Sequence, residues 1–347
     1  MKKLLLIKDY RNQFWLKSNY KEESVDLPFL IKEFLRLGFD VFLKSYDEID
    51  FKNTNYKGYY TFYQSSEDPD LLYKSYIEDV LLGLREQGAI LIPDFKYFRA
   101  HHNKIFMEIL RELHGTPRMK ALHSSYFGTY EDFHNNGCID FNEPHVFKLS
   151  SGSQSKNVKL LQSEKDHILI PKIESRSFKW YYWAVDQIKP FWRKRYPGYK
   201  RKSHHRRKFL IQDFIPDLEG DFKVLVFYDK IFVLTRKTRP KDFRASGSGR
   251  FSYSNDVPNQ ILDFSIEVFQ CFQVPFISLD VALKGNIPFL IEFQFVNFGT
   301  YTAEKSPHYY KKVNGDWKVF KENIVIEHEY AISIDAFINS KARKPLT

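Results

Sequence analysis

The chain has 347 residues, enough for two or three structural units, and its 43% hydrophobic and 28% charged residues exclude a disordered, collagen-like or disulfide-scaffold protein. Lys+Arg 53 against Asp+Glu 43 leaves a net charge of +10, which favours anionic partners without choosing among nucleotides, acidic sugars, anionic lipid and nucleic acid. Cys138 and Cys271 are the only cysteines and lie far apart, so neither a disulfide framework nor a thiolate zinc site is supported, and a cytoplasmic location is expected.

Residues 3–7 and 40–44 read as strands around a helix at Leu27 to Leu37, with Gly38 at the C-cap position. A strand at Gly58 to Tyr63, a helix from Asp70 to Gln87 and a buried strand at Ala89 to Pro93 follow. A helix from His101 to His114 then stops at Gly115-Thr116-Pro117, closing a first α/β domain over 1–116. The apolar run Leu4 to Ile7 is cut by Lys8 and Asp9, too early for a signal peptide, and no stretch approaches the roughly 18 apolar residues that cross a bilayer. A soluble protein, or one at most peripheral to a membrane, is expected.

From residue 144, PHVFKLSSGSQSKNVKLL reads as a hairpin with a tip of small residues, and 177–208 as one helix followed by a basic, turn-rich connector. KFLIQDFIP, FKVLVFYD and KIFVLTRK are three β-rich runs in quick succession. A helix at Asn259 to Phe272 leads into FISLDVALK and PFLIEFQFV, a closing antiparallel pair. SPHYYKKVNGDW at 306–317 is either an extra loop near that pair, shaping an acceptor pocket, or a packed surface hairpin.

Three constellations carry chemistry. Asp280 and Glu292 lie on successive runs around a Lys-Gly-Asn turn, and Gln294 shares a strand face with Glu292 by the period of two. The set suits Mg²⁺, or else it is a cross-strand polar pair on a solvated face. Lys148 precedes Ser150-Ser151-Gly152-Ser153, whose backbone N–H groups suit phosphate oxygens, although the run lacks P-loop order and is also compatible with an ordinary flexible hairpin. Arg236, Arg239, Arg244 and Arg250 surround a second small-residue loop and suit a transferring phosphoryl group, or a solvated basic loop.

Ordered in this way, the motifs resemble the ATP-grasp superfamily, the carboxylate–amine/thiol ligase-like proteins, possibly of the polysaccharide-biosynthesis-associated kind. The resemblance covers roughly residues 95–300. It implies a mixed α/β and α+β fold: an N-terminal pre-ATP-grasp α/β domain over 1–116, a small lobe with the flexible loop over 117–208, and a large lobe with the metal hairpin over 209–347, the two lobes clasping the nucleotide. Asn103-Lys104 resembles the family's Asp-Lys, placing Lys104 on the ATP phosphates. VFKLSSGSQSKNV does the same for Lys148, with Ser151, Gly152 and Ser153 in the loop. LIQDFIP resembles the hinge, where Gln212, Asp213, Phe214 and Ile215 meet adenine and an acidic residue nearby holds the ribose; Asp221 joins this ATP-binding set. Arg236 and Arg244 become the catalytic cations, and Asp280, Glu292, Gln294 and Asn297 the metal ligands. The chain departs from the pattern at Glu292-Phe293-Gln294 in place of Glu-x-Asn, at Lys223 and Ser246, and at Asn103 in place of aspartate.

The activity implied is an ATP- and Mg²⁺-dependent, ADP-forming ligase that joins an activated carboxylate to an amine. The excess of basic residues suggests an acidic sugar or amino-acid-type substrate, or a glycan precursor, of envelope polysaccharide metabolism. The alternatives are a kinase-like phosphoryl transfer to a small acceptor or glycan, and a basic nucleic-acid-binding protein with a decayed site. The basic segment 192–208 is compatible with the latter, but no RNA-binding signature is present, and nucleic acid is the disfavoured partner. Many members of the superfamily are dimers, so a homodimer is one expected assembly. His101-His102 and His204-His205 are adjacent pairs that do not share a face, and are read as surface or phosphate-facing residues.

Overall fold

The computed structural model describes residues 2–15, 24–137, 139–152, 157–192, 196–239, 242–245, 247 and 249–342. In chain order the elements begin with β1 (Lys2–Lys8), α1 (Leu27–Arg36), β2 (Phe39–Ser45), β3 (Tyr60–Tyr63), α2 (Leu72–Glu86), β4 (Ile90–Ile92), α3 (Phe95–Ala100) and α4 (Lys104–His114). There follow β5 (Ser124–Phe127), α5 (Tyr130–Asn136), β6 (His145–Leu149), β7 (Val158–Leu161), α6 (Glu164–Glu174), α7 (Trp180–Trp192), β8 (Phe209–Asp213), β9 (Gly220–Phe227), β10 (Lys230–Lys237) and β11 (Phe251–Ser252). The series ends with α8 (Asn259–Phe272), β12 (Phe276–Lys284), β13 (Ile287–Gln294), α9 (Tyr301–Glu304), β14 (Tyr309–Val313), β15 (Asp316–Phe320) and α10 (Ile326–Ala342). The chain divides into two compact units. The first comprises Met1–His101, Leu110–Ala121 and Asp217–Thr347, and the second His102–Ile109 and Leu122–Pro216.

The first unit holds two sheets. One is parallel, in the order β2-β1-β3-β4, and Leu4, Leu5, Leu6 and Ile7 of β1 are fully buried, as a central parallel strand demands. Helix α1 returns the chain between β1 and β2. The Asp26 carboxylate caps it by accepting from the Phe29 N–H at 3.0 Å, and Leu27, Leu30 and Phe34 form its buried stripe. The other sheet runs β13-β12-β9-β10-β14-β15, with β11 on β10.

Strand alternation divides that sheet face into two regions. Phe276, Ser278 and Asp280 of β12 share one face, and the register sets Phe276 beside Phe227 and Asp280 beside both Lys223 of β9 and Glu292 of β13. At the apolar end, Phe276 and Phe227 join Trp15, Phe298 and Tyr330 of α10 in an edge-to-face aromatic cluster with centroid separations from 4.9 to 6.3 Å. The opposite face is covered by α8, whose Phe272 stacks on Phe293 at 4.9 Å.

The second unit is an antiparallel sheet in the order β5-β8-β6-β7. Phe133 of α5 packs with Phe147, Leu149, Leu161, Phe209 and Ile211 to form its core. Helices α5 and α6 start at Thr129 and Ser163, whose hydroxyls accept from the N–H groups of Asp132 and Asp166.

Several expectations change. Strand β5 and helices α5, α6 and α10 were absent from the sequence reading. KFLIQDFIP forms β8 and joins β5 and β6 rather than the neighbouring β9 and β10. Residues 306–317 contribute to the β14–β15 hairpin, which pairs with β10, on the side of the sheet away from β13 and therefore not beside the Asp280/Glu292 pair. No helix among the described residues is long and apolar enough to cross a membrane.

Candidate active site

In the second unit, Lys148 lies in the middle of β6, a strand buried along its length, and its ammonium donates to Gln212 Oε1 at 2.7 Å. Gln212 is opposite Val146 on β8 and is itself oriented by donating from Nε2 to Ser124 Oγ at 3.0 Å. The side chain of Gln212, rather than only its backbone, therefore sets the position of the lysine. Lys104 opens α4 and is nearly buried. Its backbone N–H donates to Ser150 O at 2.9 Å and its ammonium to Gly152 O at 2.7 Å, so the mouth of the small-residue loop is tied to the start of the helix.

Asn103 is the hub of this tie. Its Oδ1 accepts from the Phe106 N–H, from Ser150 Oγ at 3.0 Å and from Lys208 Nζ at 3.1 Å. Gly152 has φ of +121°, a backbone conformation that favours glycine, and a Cβ there would make the Asn157 side-chain amide, 2.6 Å away, shift. Ser151 is exposed at the loop, and its carbonyl accepts from Asn157 Nδ2 at 3.3 Å. Ser153 lies outside the described residues, as does Ser246. The Asp213 N–H donates to His123 O at 3.0 Å, its carboxylate is half exposed, and Phe214 and Ile215 follow β8.

In the first unit the charged end of the β12 face is an ion-pair network. Arg236 of β10 meets Asp221 of β9 through two parallel bonds, from Nε at 2.6 Å and Nη2 at 2.8 Å, and reaches Asp280 Oδ2 at 3.0 Å. Lys223 Nζ lies 2.9 Å from the other Asp280 oxygen. Burial alone would raise the Asp280 carboxyl, but Arg236 and Lys223 together hold it well below the usual carboxylate range. Burial dominates for Asp221, whose carboxyl is raised in spite of Arg236. Arg236 is held charged by the two aspartates against its own desolvation.

Glu292 is paired in register with Asp280, and the next residue pair is shifted, Val281 facing Leu290, so a β-bulge lies at the two acids. Gln294 donates from Nε2 to Glu292 Oε1 at 3.3 Å. Asn297, just beyond β13, has φ of +56°, and its Oδ1 is closed off from solvent with no hydrogen-bond partner among the described residues. Arg244 lies in the segment after β10, where Asp242 accepts from it at 2.7 to 3.0 Å.

Three solved structures match nearly the whole length of the chain. The macrocyclase MdnC from Microcystis aeruginosa MRC, bound with the precursor peptide MdnA, is 13% identical, with 97% of this chain and 99% of that one covered and a TM-score of 0.50. The D-cycloserine synthetase DcsG is 10% identical over 96% and 99%, at 0.53. The ATP-grasp ligase PsnB, complexed with a minimal precursor, is 11% identical over 96% and 98%, at 0.50. The chain has the ATP-grasp fold. No family model matches its sequence, and no curated protein does.

The ATP-grasp fold implies a nucleotide and a divalent cation, and the side chains present fit both. Two near-buried ammonium groups beside a loop of small residues suit phosphate oxygens. At the bulge, the carboxylates of Glu292 and Asp280 lie in register, the latter held by Arg236 and Lys223, and they are hard oxygen donors of the kind Mg²⁺ takes; beyond the strand, Asn297 Oδ1 is a closed-off acceptor without a donor, which otherwise costs about 1–3 kcal/mol. From the sequence, Lys223 and Asn103 stand out only as departures from the ATP-grasp pattern. Lys223 is one of the two cations on Asp280, and Asn103 caps α4. His101, expected at the surface, is buried, with Nδ1 2.9 Å from Ser65 Oγ and Nε2 3.3 Å from Glu67.

Proposed function

We propose that the protein is an ATP- and Mg²⁺-dependent ligase that activates a carboxylate as an acyl phosphate, with release of ADP, and joins it to an amine with release of phosphate. The observation that carries this reading is the pairing of Asp280 with Glu292 at the β12–β13 bulge of an ATP-grasp fold, with the orphaned acceptor of Asn297 further along the same segment. Bound Mg²⁺ would neutralise phosphate charge as the substrate carboxylate oxygen attacks the γ-phosphorus.

The remaining work falls to the chain's own residues. Lys104 and Lys148 hold phosphate oxygens, with Gln212 orienting Lys148 and with the N–H groups around Ser151, Gly152 and Ser153 adding donors. Gln212, Asp213, Phe214 and Ile215 lie along the nucleotide base, and Asp221 orients Arg236. Arg236 and Arg244 stabilise the charge that develops on the phosphoryl group and on the tetrahedral adduct with the amine. Glu292, Asp280, Gln294 and Asn297 hold the cation. The net charge of +10 supports an acidic substrate, which we place among sugar acids or amino-acid-type acids of envelope polysaccharide metabolism in the cytoplasm, handled by a homodimer.

Thermal unfolding with and without Mg-ATP, in the wild type and in Glu292→Ala, tests the reading. A nucleotide at about 100 times its dissociation constant adds roughly 2.7 kcal/mol, a rise of several degrees. A Mg²⁺-dependent rise that Glu292→Ala abolishes is expected, followed by ADP release that requires both an acid and an amine. No rise at millimolar Mg-ATP, or ADP formed with an acid-free acceptor, overturns it.

A further inference from the structure

Helix α7 of the second unit carries apolar side chains that its own sheet does not use. Trp180 is 72% exposed, Trp183 45% and Ile188 55%. At 100° per residue these positions fall within one sector of the helix, together with Ala184 and the polar Gln187, so they form a mainly apolar face. Phe178 lies 6.4 Å from Trp183, and Tyr196, 68% exposed, packs edge-on to Tyr199 at 5.6 Å. Arg201 donates to Gln187 Oε1 at 3.2 Å, which ties the connector back to the helix.

The segment itself is strongly basic, although Glu131 of α5 accepts from Ser203 Oγ at 2.7 Å. Asp186 is the only acid between Ser175 and Lys208, against twelve lysines and arginines. Arg176, Lys179, Lys200, Arg201 and Lys202 are exposed. An occupant must therefore accept apolar insertion and supply negative charge together. The exposures of 45% to 72% mean that the side chains project outward rather than line a cleft. A peptide ligand would need pockets, whereas a bilayer surface needs only projecting aromatic groups ringed by cations. At about 1.5 Å per residue the 13-residue helix is about 20 Å long, too short to span the hydrocarbon core and suited to lying in the interface plane.

We infer that α7 and the basic connector after it dock the second unit on an anionic lipid surface. Trp180, Trp183 and Ile188 enter the headgroup region, and Lys200, Arg201 and Lys202 meet the lipid phosphates. This site is separate from the proposed ligase chemistry and does not depend on it.

Sedimentation of the full-length protein with phosphatidylcholine vesicles, with and without phosphatidylglycerol, tests the inference. The wild type is expected to pellet with the anionic vesicles, less so as salt rises, and to stay in solution with the neutral ones. The triple change Lys200→Gln, Arg201→Gln and Lys202→Gln is expected to weaken binding on the order of a hundredfold. Trp180→Ser with Trp183→Ser is expected to weaken it on the order of tenfold or more, with an unchanged unfolding temperature because both side chains are exposed. Wild-type protein left in solution by anionic vesicles overturns the inference, as does undiminished binding by either variant. Tighter binding to a single-stranded polynucleotide than to anionic vesicles in the same salt overturns it in favour of a nucleic-acid partner.

Discussion

Two cations singled out by the sequence occupy opposite electrostatic settings. Arg236 in the first unit is gripped by two carboxylates, Asp221 and Asp280, and Asp280 is held by Lys223 as well. Lys148 in the second unit donates to a neutral amide, Gln212. A cation compensated by the protein's own acids is part of the structure before any ligand arrives. One oriented by a neutral amide, as Lys148 is by Gln212, is the cation we propose for the phosphates. The difference predicts that loss of Arg236 costs the fold more than loss of Lys148 does.

The sharpest way to break the comparison is Arg236→Met. It strips the guanidinium from two buried carboxylates and should cost about 3–5 kcal/mol, lowering the unfolding temperature by roughly 10 °C with no ligand present. A loss below one degree would show that the network adds nothing to the fold. Lys148→Met should behave differently. Its cost in the absence of ligand is about 1–3 kcal/mol, from the orphaned Gln212 oxygen, while stabilisation by Mg-ATP falls to near zero in calorimetry. Stabilisation retained in this variant would remove Lys148 from the phosphates.

The smallest effect concerns a third buried base. His167 accepts at Nε2, 3.0 Å from His145 Nδ1, because its own Nδ1 donates to Ser163 O at 2.8 Å. Burial lowers its pKa from the usual 6.5. Between 6.5 and that lowered value the unfolded chain binds a proton that the folded chain refuses. Stability is therefore full above pH 6.5 and declines as pH falls below it. Unfolding temperatures from pH 7.5 to 5 should show this decline, and His167→Gln should flatten it. An equal slope in the variant would assign the acid sensitivity elsewhere.

The legible parts of the molecule were those governed by local pattern. The apolar spacing of Ile261, Leu262, Phe264, Val268 and Phe272 marks α8, and the turn at 284–286 places Asp280 and Glu292 on paired strands. The illegible parts depend on register and on long-range pairing. Nothing in FKVLVFYD places Lys223 beside Asp280, because that contact arises only when β9 enters the sheet between β12 and β10. Helix α10 was missed because Glu327, Glu329 and Tyr330 are all buried, which erases the polar stripe by which a surface helix is recognised. Helix α6 carries Pro171 in its interior, normally a breaker. Asn297 gave no signal, since its significance lies in a positive φ and an acceptor without a donor.

The contact between the two extremes of the first unit also sets an order of events on the ribosome. Lys2 of β1 bonds Asp335 at 2.8 Å and Asn339 at 2.6 Å, and Trp15 and Phe62 lie against Tyr330 of the same helix. Translation at about 5–20 residues per second leaves β1 waiting roughly 20–70 s for α10 to emerge. By then every residue of the second unit, which ends at Pro216, has already been made. The parallel sheet therefore spends its early life with apolar surface uncovered, the interval in which chaperones have most to hold. A nascent chain stalled before α10 presents them with an open sheet rather than a shorter folded protein.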